Sequence, residues 1–362
     1  MESNYYFIFD NAFEIIPLVP SFSFAFQITI SSKYYWEAIY HFTHLIIKNQ
    51  SFYPGSYDHL ILFRKLQKLN IEDKQILDCK KISVLNKLIH LNELEINMPS
   101  LYFINYEVLN LSNLSKLTNV CFHHVSFYHV QWNFHSIRKI KAHIDIDMYD
   151  NLNLFSAANN LESLSLNIDS PNINATICIP SSNKLTKLTI RDGGTDPWIY
   201  ISFSNDLFTN IIRMNLNNVK LMYTGKIFSS LIYLSLSNLM DRTITLPKAY
   251  NLKKLKINNV NLTINFSDYS DIMSLKILNI RWNVRGNLYN LHKLKYQNDT
   301  ELDVMKSQCF LDLIEAVQYS SKLKYIGIHD IVFDDVKKLN EYMINSSSEI
   351  DKNPKSIYSL SG

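Results

Sequence analysis

The stretch Asn251–Val260, "NLKKLKINNV", places apolar side chains at Leu252, Leu255 and Ile257. In an extended chain successive side chains point to opposite faces, so Leu255 and Ile257 share one face. The residues between and beside them are polar and share the other face: Lys254, Lys256 and Asn258. This alternation predicts a β-strand with one buried face and one solvated face.

The same L-x-x-L-x-L spacing, with Ile, Val, Phe or Met allowed for Leu, recurs along most of the chain. Its first positions are Phe42, Leu66, Leu91, Leu117, Ile137, Leu161, Leu185, Ile211, Leu231, Leu252, Leu275 and Leu323. The starts are 20 to 26 residues apart, and the last interval of 48 equals two periods of 24. A period near 23 lies within the roughly 20–29 residues of the leucine-rich repeat, which the chain therefore resembles.

The resemblance implies an α/β solenoid, a curved array whose parallel strands line a concave face. Two return segments, "TICIPSSNKL" (Thr176 to Leu185) and "TITLPKAYNL" (Thr243 to Leu252), contain short β-like runs. "CFLDLIEAVQYSSKL" (Cys309 to Leu323) has helical spacing instead, so we expect a convex side of mixed short strands and helices. Because the ninth repeat position is often apolar, as at Val219, we expect no regular asparagine ladder.

Residues 1–41 do not follow the repeat, and we expect a small helical module there, then repeats over 42–345 and a polar tail over 346–362. The segment "FQITISSKYYWEAI" is similar to the second half of an F-box. Its matching residues are Ser32, Lys33, Tyr35 and Trp36. That resemblance implies docking on Skp1, the adaptor of a cullin-based ubiquitin ligase. The alternative is a cap that only shields the first repeat.

Composition restricts the class of protein. Apolar residues make up 47% of the 362, enough for a continuous core, and the net charge of +3 is too small to indicate nucleic acid. The four cysteines are widely spaced, which predicts reduced thiols and a cytoplasmic or nuclear protein. The uncharged run from Ile15 to Ser32 contains prolines and is expected to be buried, not membrane-spanning. No secretory signal is evident, which disfavours a secreted surface protein.

The sequence offers no catalytic motif, and we expect a non-enzyme without a cofactor or metal. Five histidines between 123 and 143 follow Cys121, and alternation points Cys121, His123 and His143 to the concave side. Ligand pairs at the usual spacing are absent, so ordinary surface or packing histidines are expected. No arrangement of Asp or Glu residues separates an acid from a base.

Positions three, five and seven of each repeat should project from the concave sheet. Between Ile137 and Arg281 these positions carry basic residues and no Asp or Glu. The basic residues are Lys139, Lys141, Lys187, Arg191, Arg213, Lys254, Lys256 and Arg281. A surface of one charge attracts an oppositely charged partner, which favours an acidic or phosphorylated protein ligand. A solvated lysine-rich face without a ligand is the alternative.

Together these features predict a non-catalytic protein-interaction module. The resemblance to F-box proteins with leucine-rich repeats implies a substrate-recognition subunit of a ubiquitin ligase, with the adaptor on residues 1–41 and the substrate on the concave face. A stand-alone scaffold with no ligase role is the alternative.

Overall fold

The computed structural model describes the elements that form the repeats and their turns. It describes residues 7–9, 13–15, 43–48, 60–61, 63–72, 83–101, 109–125, 130–132, 135–145, 158–169, 175–179, 182–193, 199–203, 210–221, 228–239, 244–245, 249–260, 262–269, 271–278, 282–297, 308–329 and 331–352. The chain divides into two compact units, residues 1–205 and residues 206–362.

In its described residues the first unit consists mainly of strands, with a short 3₁₀ turn at Ser83–Lys87. Its strands are β1 (Phe7–Phe9), β2 (Phe13–Ile15), β3 (His44–Lys48), β4 (Lys68–Glu72), β5 (Glu93–Leu101), β6 (Leu109–Leu111), β7 (Asn119–Val125), β8 (Val130–Trp132), β9 (Lys139–Asp145), β10 (Ser163–Asp169), β11 (Ala175–Ile179), β12 (Lys187–Asp192) and β13 (Ile199–Phe203). The main sheet has the order β1-β2-β3-β4-β5-β7-β9-β10-β12. All its pairs are parallel except the hairpin of β1 and β2.

The second unit repeats this plan and adds two helices, α1 and α2. Its elements are β14 (Arg213–Asn217), β15 (Lys220–Leu221), β16 (Tyr233–Ser237), β17 (Ile244–Thr245), β18 (Lys254–Asn258), β19 (Leu262–Asn265), β20 (Ser274–Leu278), β21 (Trp282–Arg285), β22 (Lys293–Gln297), α1 (Gln308–Val317), β23 (Tyr325–Ile328), β24 (Ile331–Phe333) and α2 (Val336–Lys352). Its main sheet has the order β14-β16-β18-β20-β22-β23-β24, and only β23 and β24 pair antiparallel.

Each unit is thus a parallel β-solenoid in which the three apolar positions of the repeat form the core. In the repeat that begins at Leu231, the side chains of Leu231, Leu234 and Leu236 are all fully buried. The first leucine lies in the turn before the strand, and the other two point inward from it. A single strand cannot bury this face alone, so each coil is stabilised by the next.

The coils are joined by a recurring backbone arrangement at the start of each strand. The amides of Ile232 and Tyr233 both donate to the carbonyl oxygen of Ile212 in the preceding coil, at 3.0 and 3.1 Å. The amides of Lys253 and Lys254 donate in the same way to Ile232. These paired bonds fix the register, so equivalent repeat positions lie side by side across the sheet.

The return segments confirm the expected mixture of short strands and a helix. β11 pairs parallel with β13 in the first unit, and β19 pairs parallel with β17 and β21 in the second. The segment with helical spacing contains α1, whose Phe310 ring packs against Tyr296 of β22 with 5.3 Å between ring centroids.

The ninth repeat position holds the buried apolar residues Val219, Leu239 and Val260, and part of the second unit has asparagines at the eighth position instead. Asn218, Asn238 and Asn259 occupy the eighth repeat position with φ of 55°, 53° and 50°. Asparagine tolerates this left-handed conformation better than most residues. The Asn259 side-chain amide donates to Oδ1 of Asn238, and that of Asn238 donates to Oδ1 of Asn217, both at 3.0 Å. These two bonds connect successive coils through the eighth positions Asn238 and Asn259 and the seventh position Asn217.

The repeat assigned to Leu275 begins three residues earlier, at Ile272. Ile272, Leu275 and Ile277 are the three buried positions. Ile277 therefore lies in the core, whereas a repeat starting at Leu275 places it at position three, on the exposed face. The next repeat begins at Leu291, inside the interval of 48 residues before Leu323 that the period divided into two. The interval therefore contains one additional repeat, and α1 lies between that repeat and the one at Leu323.

The two ends of the repeat array also differ from expectation. The first strands, β1 and β2, form a hairpin where helical pieces were expected, and β2 extends the sheet by pairing with β3. Their aromatic and β-branched residues suit a strand. At the other end α2 continues to Lys352, through the boundary drawn at 345/346. Residues 16–42 lie outside the described part of the chain.

Candidate functional site

The face of each main sheet that points away from the core is called the open face here. It is formed by positions three, five and seven of the repeats, the positions predicted to face a partner. In the first unit it carries Lys139, Lys141, Lys187 and Arg191, all exposed. In the second unit it carries Arg213, Lys254 and Lys256, of which Lys256 is half-buried. Arg281 lies outside the described residues.

The open face of the second unit contains a row of three lysines, called the lysine row. Lys256 on β18 lies directly opposite Lys276 on β20, and Lys276 lies opposite Lys295 on β22. Neighbouring strands are about 4.8 Å apart, so three ammonium groups extend from adjacent, laterally aligned positions. Directly opposed like charges destabilise a sheet, so the row is a local excess of positive charge that the fold itself imposes.

The lysine row affects the acid–base properties of its central member. Partial burial and the charges of Lys256 and Lys295 lower the pKa of Lys276 below its ordinary value. The same physics favours an anion at this point, because a negative charge would relieve both the mutual repulsion and the loss of hydration.

A second row of open-face residues runs beside the lysine row. It contains Lys254, Ser274 and Lys293 on the same three strands, followed by Tyr325 on β23. The Lys293 ammonium lies 4.6 Å from the centroid of the Tyr325 ring, a cation–π contact that holds it over the sheet. Ser274, which has a small side chain, lies between Lys254 and Lys293 in this row.

Among the described strands of the second unit, positions three, five and seven carry no Asp or Glu. Their basic members are Arg213, Lys254, Lys256, Lys276, Lys293 and Lys295. Lys276, Lys293 and Lys295 were not predicted from the sequence, because the pattern placed the Leu275 repeat out of register and left out the Leu291 repeat. The signal was present in "SLKIL" and "KLKYQ".

The open face of the first unit has a mixed charge. A groove of about 560 Å³ runs over it, and apolar residues line it together with cations, carboxylates and polar residues from β3 to β12. The Lys68 ammonium is paired with the Glu93 carboxylate at 3.2 Å. Lys139, Lys141 and Lys187 line the same groove, so these three predicted residues are brought together.

His143 and His123, two of the five histidines that follow Cys121, have different surroundings. His143 Nε2 lies 2.7 Å from Oδ2 of Asp169 on β10, so this ring is part of a local ion pair or hydrogen bond. His123 Nε2 lies 3.4 Å from the Cys121 sulfur and 3.9 Å from Oε1 of Glu95. His143 thus contacts Asp169 of the following repeat, whereas His123 and Cys121 lie near Glu95 of the preceding repeat.

The residues that resemble an F-box, Ser32, Lys33, Tyr35 and Trp36, lie outside the described part of the chain. None of the helices in the described ranges has the length and apolar character needed to cross a membrane.

Comparison with known proteins identifies no family. No family model matches the chain, and no curated protein matches it. One solved structure that is similar to this chain is an internalin from Listeria monocytogenes. The two chains are 14% identical, with a TM-score of 0.44, and the alignment covers 87% of this chain and 98% of the internalin.

Proposed function

We propose that this protein is a non-catalytic interaction module whose open face binds an acidic or phosphorylated segment of another protein. The observation that carries the proposal is the lysine row of Lys256, Lys276 and Lys295. Three aligned cations, with no Asp or Glu at the open-face positions of the second unit's described strands, form a site for several negative charges in succession. Carboxylates and phosphoryl groups both accept charge-assisted hydrogen bonds from lysine ammonium groups.

A protein segment fits this surface better than a compact small anion. The basic positions extend over β14, β18, β20 and β22, and the sheet presents them as parallel rows, which matches an elongated ligand. Tyr233 and Tyr325 lie on the same face and offer apolar area beside the charges. Aromatic anchors with flanking charges are typical of protein interfaces.

Binding can be measured by fluorescence anisotropy of labelled oligoglutamate and phosphoserine peptides on the whole chain. The test variant replaces Lys256, Lys276 and Lys295 with Glu. The matched control replaces Lys253, Lys324 and Lys337 with Glu, which makes the same change in net charge at exposed positions outside both rows.

We expect the lysine-row variant to bind at least about tenfold more weakly, a loss of about 1.4 kcal/mol, and the control to bind nearly as the parent does. Equal loss in both variants would mean that net charge alone drives binding, and the proposal would fail. A labelled single-stranded oligonucleotide that binds more tightly than either peptide would also overturn it in favour of nucleic acid.

The ubiquitin-ligase role is a separate proposal for residues 1–41, supported by the resemblance of "FQITISSKYYWEAI" (residues 26–39) to the second half of an F-box. If Ser32, Lys33, Tyr35 and Trp36 form an adaptor site, the chain docks on Skp1 and presents its open face to a substrate. The hairpin of β1 and β2 departs from an all-helical F-box and limits such a site to the residues after Ile15. The alternative is a stand-alone scaffold.

A pull-down of purified Skp1 on the full chain distinguishes these two roles. Under the ligase proposal Skp1 is retained, and replacing Tyr35 and Trp36 with Ala releases it. The control replaces the exposed Tyr250 and Tyr289 with Ala in the second unit. Absence of Skp1 binding by the folded parent chain would exclude the ligase role and leave the scaffold.

A further inference from the structure

The parallel register of the first unit brings together three side chains that commonly bind metal ions. Glu95 on β5 lies directly opposite Cys121 on β7, and His123 lies two residues further along β7 on the same face. One carboxylate oxygen, the sulfur and one imidazole nitrogen all lie within 4.8 Å of one another. Glu95 and Cys121 are 26 residues apart and occupy the fifth position of successive repeats, so the strand register brings them together.

Two of the three distances between these atoms are close to those around one tetrahedral zinc ion, and the third is within 4.8 Å. With Zn–S near 2.3 Å and Zn–N near 2.0–2.1 Å, tetrahedral geometry separates the sulfur and nitrogen by about 3.6 Å. The observed separation of Cys121 Sγ and His123 Nε2 is 3.4 Å. The corresponding separation for nitrogen and carboxylate oxygen is about 3.4 Å, against 3.9 Å between His123 Nε2 and Glu95 Oε1. A small side-chain adjustment of Glu95 closes the difference.

A neighbouring residue already orients the carboxylate. The Asn70 side-chain amide donates a hydrogen bond to Glu95 Oε2 at 3.2 Å, while Oε1 is the oxygen closer to His123. Carboxylates that bind metals are held in this way by outer hydrogen bonds. Glu95, Cys121 and His123 are all half-buried, and Glu95 and Cys121 line the groove. The three side chains are therefore covered by protein on one side and reached from the groove on the other.

We propose that Glu95, Cys121 and His123 bind a zinc ion, with the fourth coordination position open to the groove. Three protein ligands and one open position are the pattern of an accessible zinc site, whereas buried structural sites use four protein ligands. The position is occupied by water in the isolated protein and is available to an electron-pair donor from a ligand in the groove. This site is independent of the lysine row, which belongs to the other unit.

Binding of zinc requires a change in protonation at the cysteine. Burial and the Glu95 carboxylate raise the pKa of the Cys121 thiol to about 11, although Lys141 acts in the opposite direction. An ordinary cysteine thiol is already mostly protonated at neutral pH, since its usual pKa is near 8.5. Coordination forms the Zn–S bond and breaks the S–H bond, and the proton passes to solvent. We expect about one proton released per zinc bound near neutral pH, and tighter apparent binding as the pH rises.

The test uses the full chain purified without metal. Addition of cobalt(II), which takes the same ligands, is expected to produce a thiolate-to-cobalt charge-transfer band in the near ultraviolet, and zinc should displace it. Calorimetry with zinc in buffers of different ionisation enthalpy measures the released proton. Cys121→Ser should abolish the band, and Glu95→Gln should weaken zinc binding while circular dichroism stays unchanged.

The matched control is Cys178→Ser, since Cys178 is also a half-buried free cysteine of the first unit but lies on the return strand β11. It should bind as the parent does. Asn70→Ala should weaken binding by roughly 10- to 100-fold without removing the thiolate band. A cobalt spectrum without that band, or one that persists in Cys121→Ser, would refute the proposed site.

Discussion

The side-chain amide of Asn259 donates a hydrogen bond of 3.0 Å to Oδ1 of Asn238, one coil earlier in the second unit. The backbone amide of Asn238 in turn donates to the carbonyl oxygen of Asn258 at 2.9 Å. Asparagine at this position therefore serves two purposes. It adopts the left-handed turn that ends the strand, and its side chain connects successive coils.

Replacement of Asn238 with Ala should destabilise the second unit by about 1–3 kcal/mol. The change removes the side-chain hydrogen bonds. It also places an alanine at a φ of 53°, which residues other than glycine and asparagine rarely adopt. Asn238→Gly keeps the permitted backbone and loses only the side chain. Urea unfolding should give the order parent, Gly, Ala from most to least stable. Equal stability of the Gly and Ala variants would show that φ carries no cost.

The register of the repeat predicts that Leu234 and Ile232, two residues apart, contribute very differently to stability. Leu234 is fully buried, whereas Ile232, two residues earlier, is 38% exposed. Leu234→Ala should lower the free energy of unfolding by about 2–5 kcal/mol, because it removes buried methyl groups and leaves a cavity. Ile232→Ala should cost well under half as much. Chemical denaturation of both variants measures the difference, and similar costs would contradict the assigned register.

Ser320 connects two coils through its hydroxyl group. It is 8% exposed and its Oγ contacts the carbonyl oxygens of Leu291 at 2.8 Å and Tyr289 at 3.1 Å. Ser320→Ala should destabilise the chain by about 1–2 kcal/mol, since buried carbonyl groups lose a hydrogen-bond donor. Ser321 is adjacent and exposed, so Ser321→Ala is the matched control and should be nearly neutral. Thermal unfolding that ranks the control as the more damaging change would argue against this role.

The lysine row predicts a pH and salt dependence of stability. The pKa of Lys276 is lower in the folded protein than in the unfolded chain, so the unfolded chain binds more protons between the two values. Stability should therefore rise as the pH increases through that alkaline window. At neutral pH Lys276→Gln should stabilise the protein by roughly 0.2–1 kcal/mol, because it removes a directly opposed like charge.

The gain from Lys276→Gln should shrink as salt screens the repulsion. Lys253→Gln, at an exposed position outside the row, is the control and should change little. Thermal unfolding at low and high ionic strength measures both variants. A loss of stability in Lys276→Gln at low salt would mean that the ammonium is held by favourable contacts instead of being repelled.

The sequence by itself determined the repeat, the parallel strands and the identity of the buried residues in most coils. That was possible because alternation within a strand and a period near 23 are both local properties that recur in every coil. The same regularity assigned Lys139, Lys187, Arg213 and Lys254 to the exposed face of the sheet. Where a repeat changes length, as at Ile272 and Leu291, the period gave a wrong or incomplete register, since only packing against neighbouring coils decides it.

Tertiary structure decided which side chains meet across coils. Glu95 and Cys121 are opposed because one parallel register joins β5 to β7, and Lys256, Lys276 and Lys295 are aligned by the same kind of pairing. Such contacts join residues about one repeat apart, and a shift of one residue would turn every side chain to the opposite face. Paired backbone hydrogen bonds between coils at the start of each strand fix that register, and no pattern within a single strand contains them.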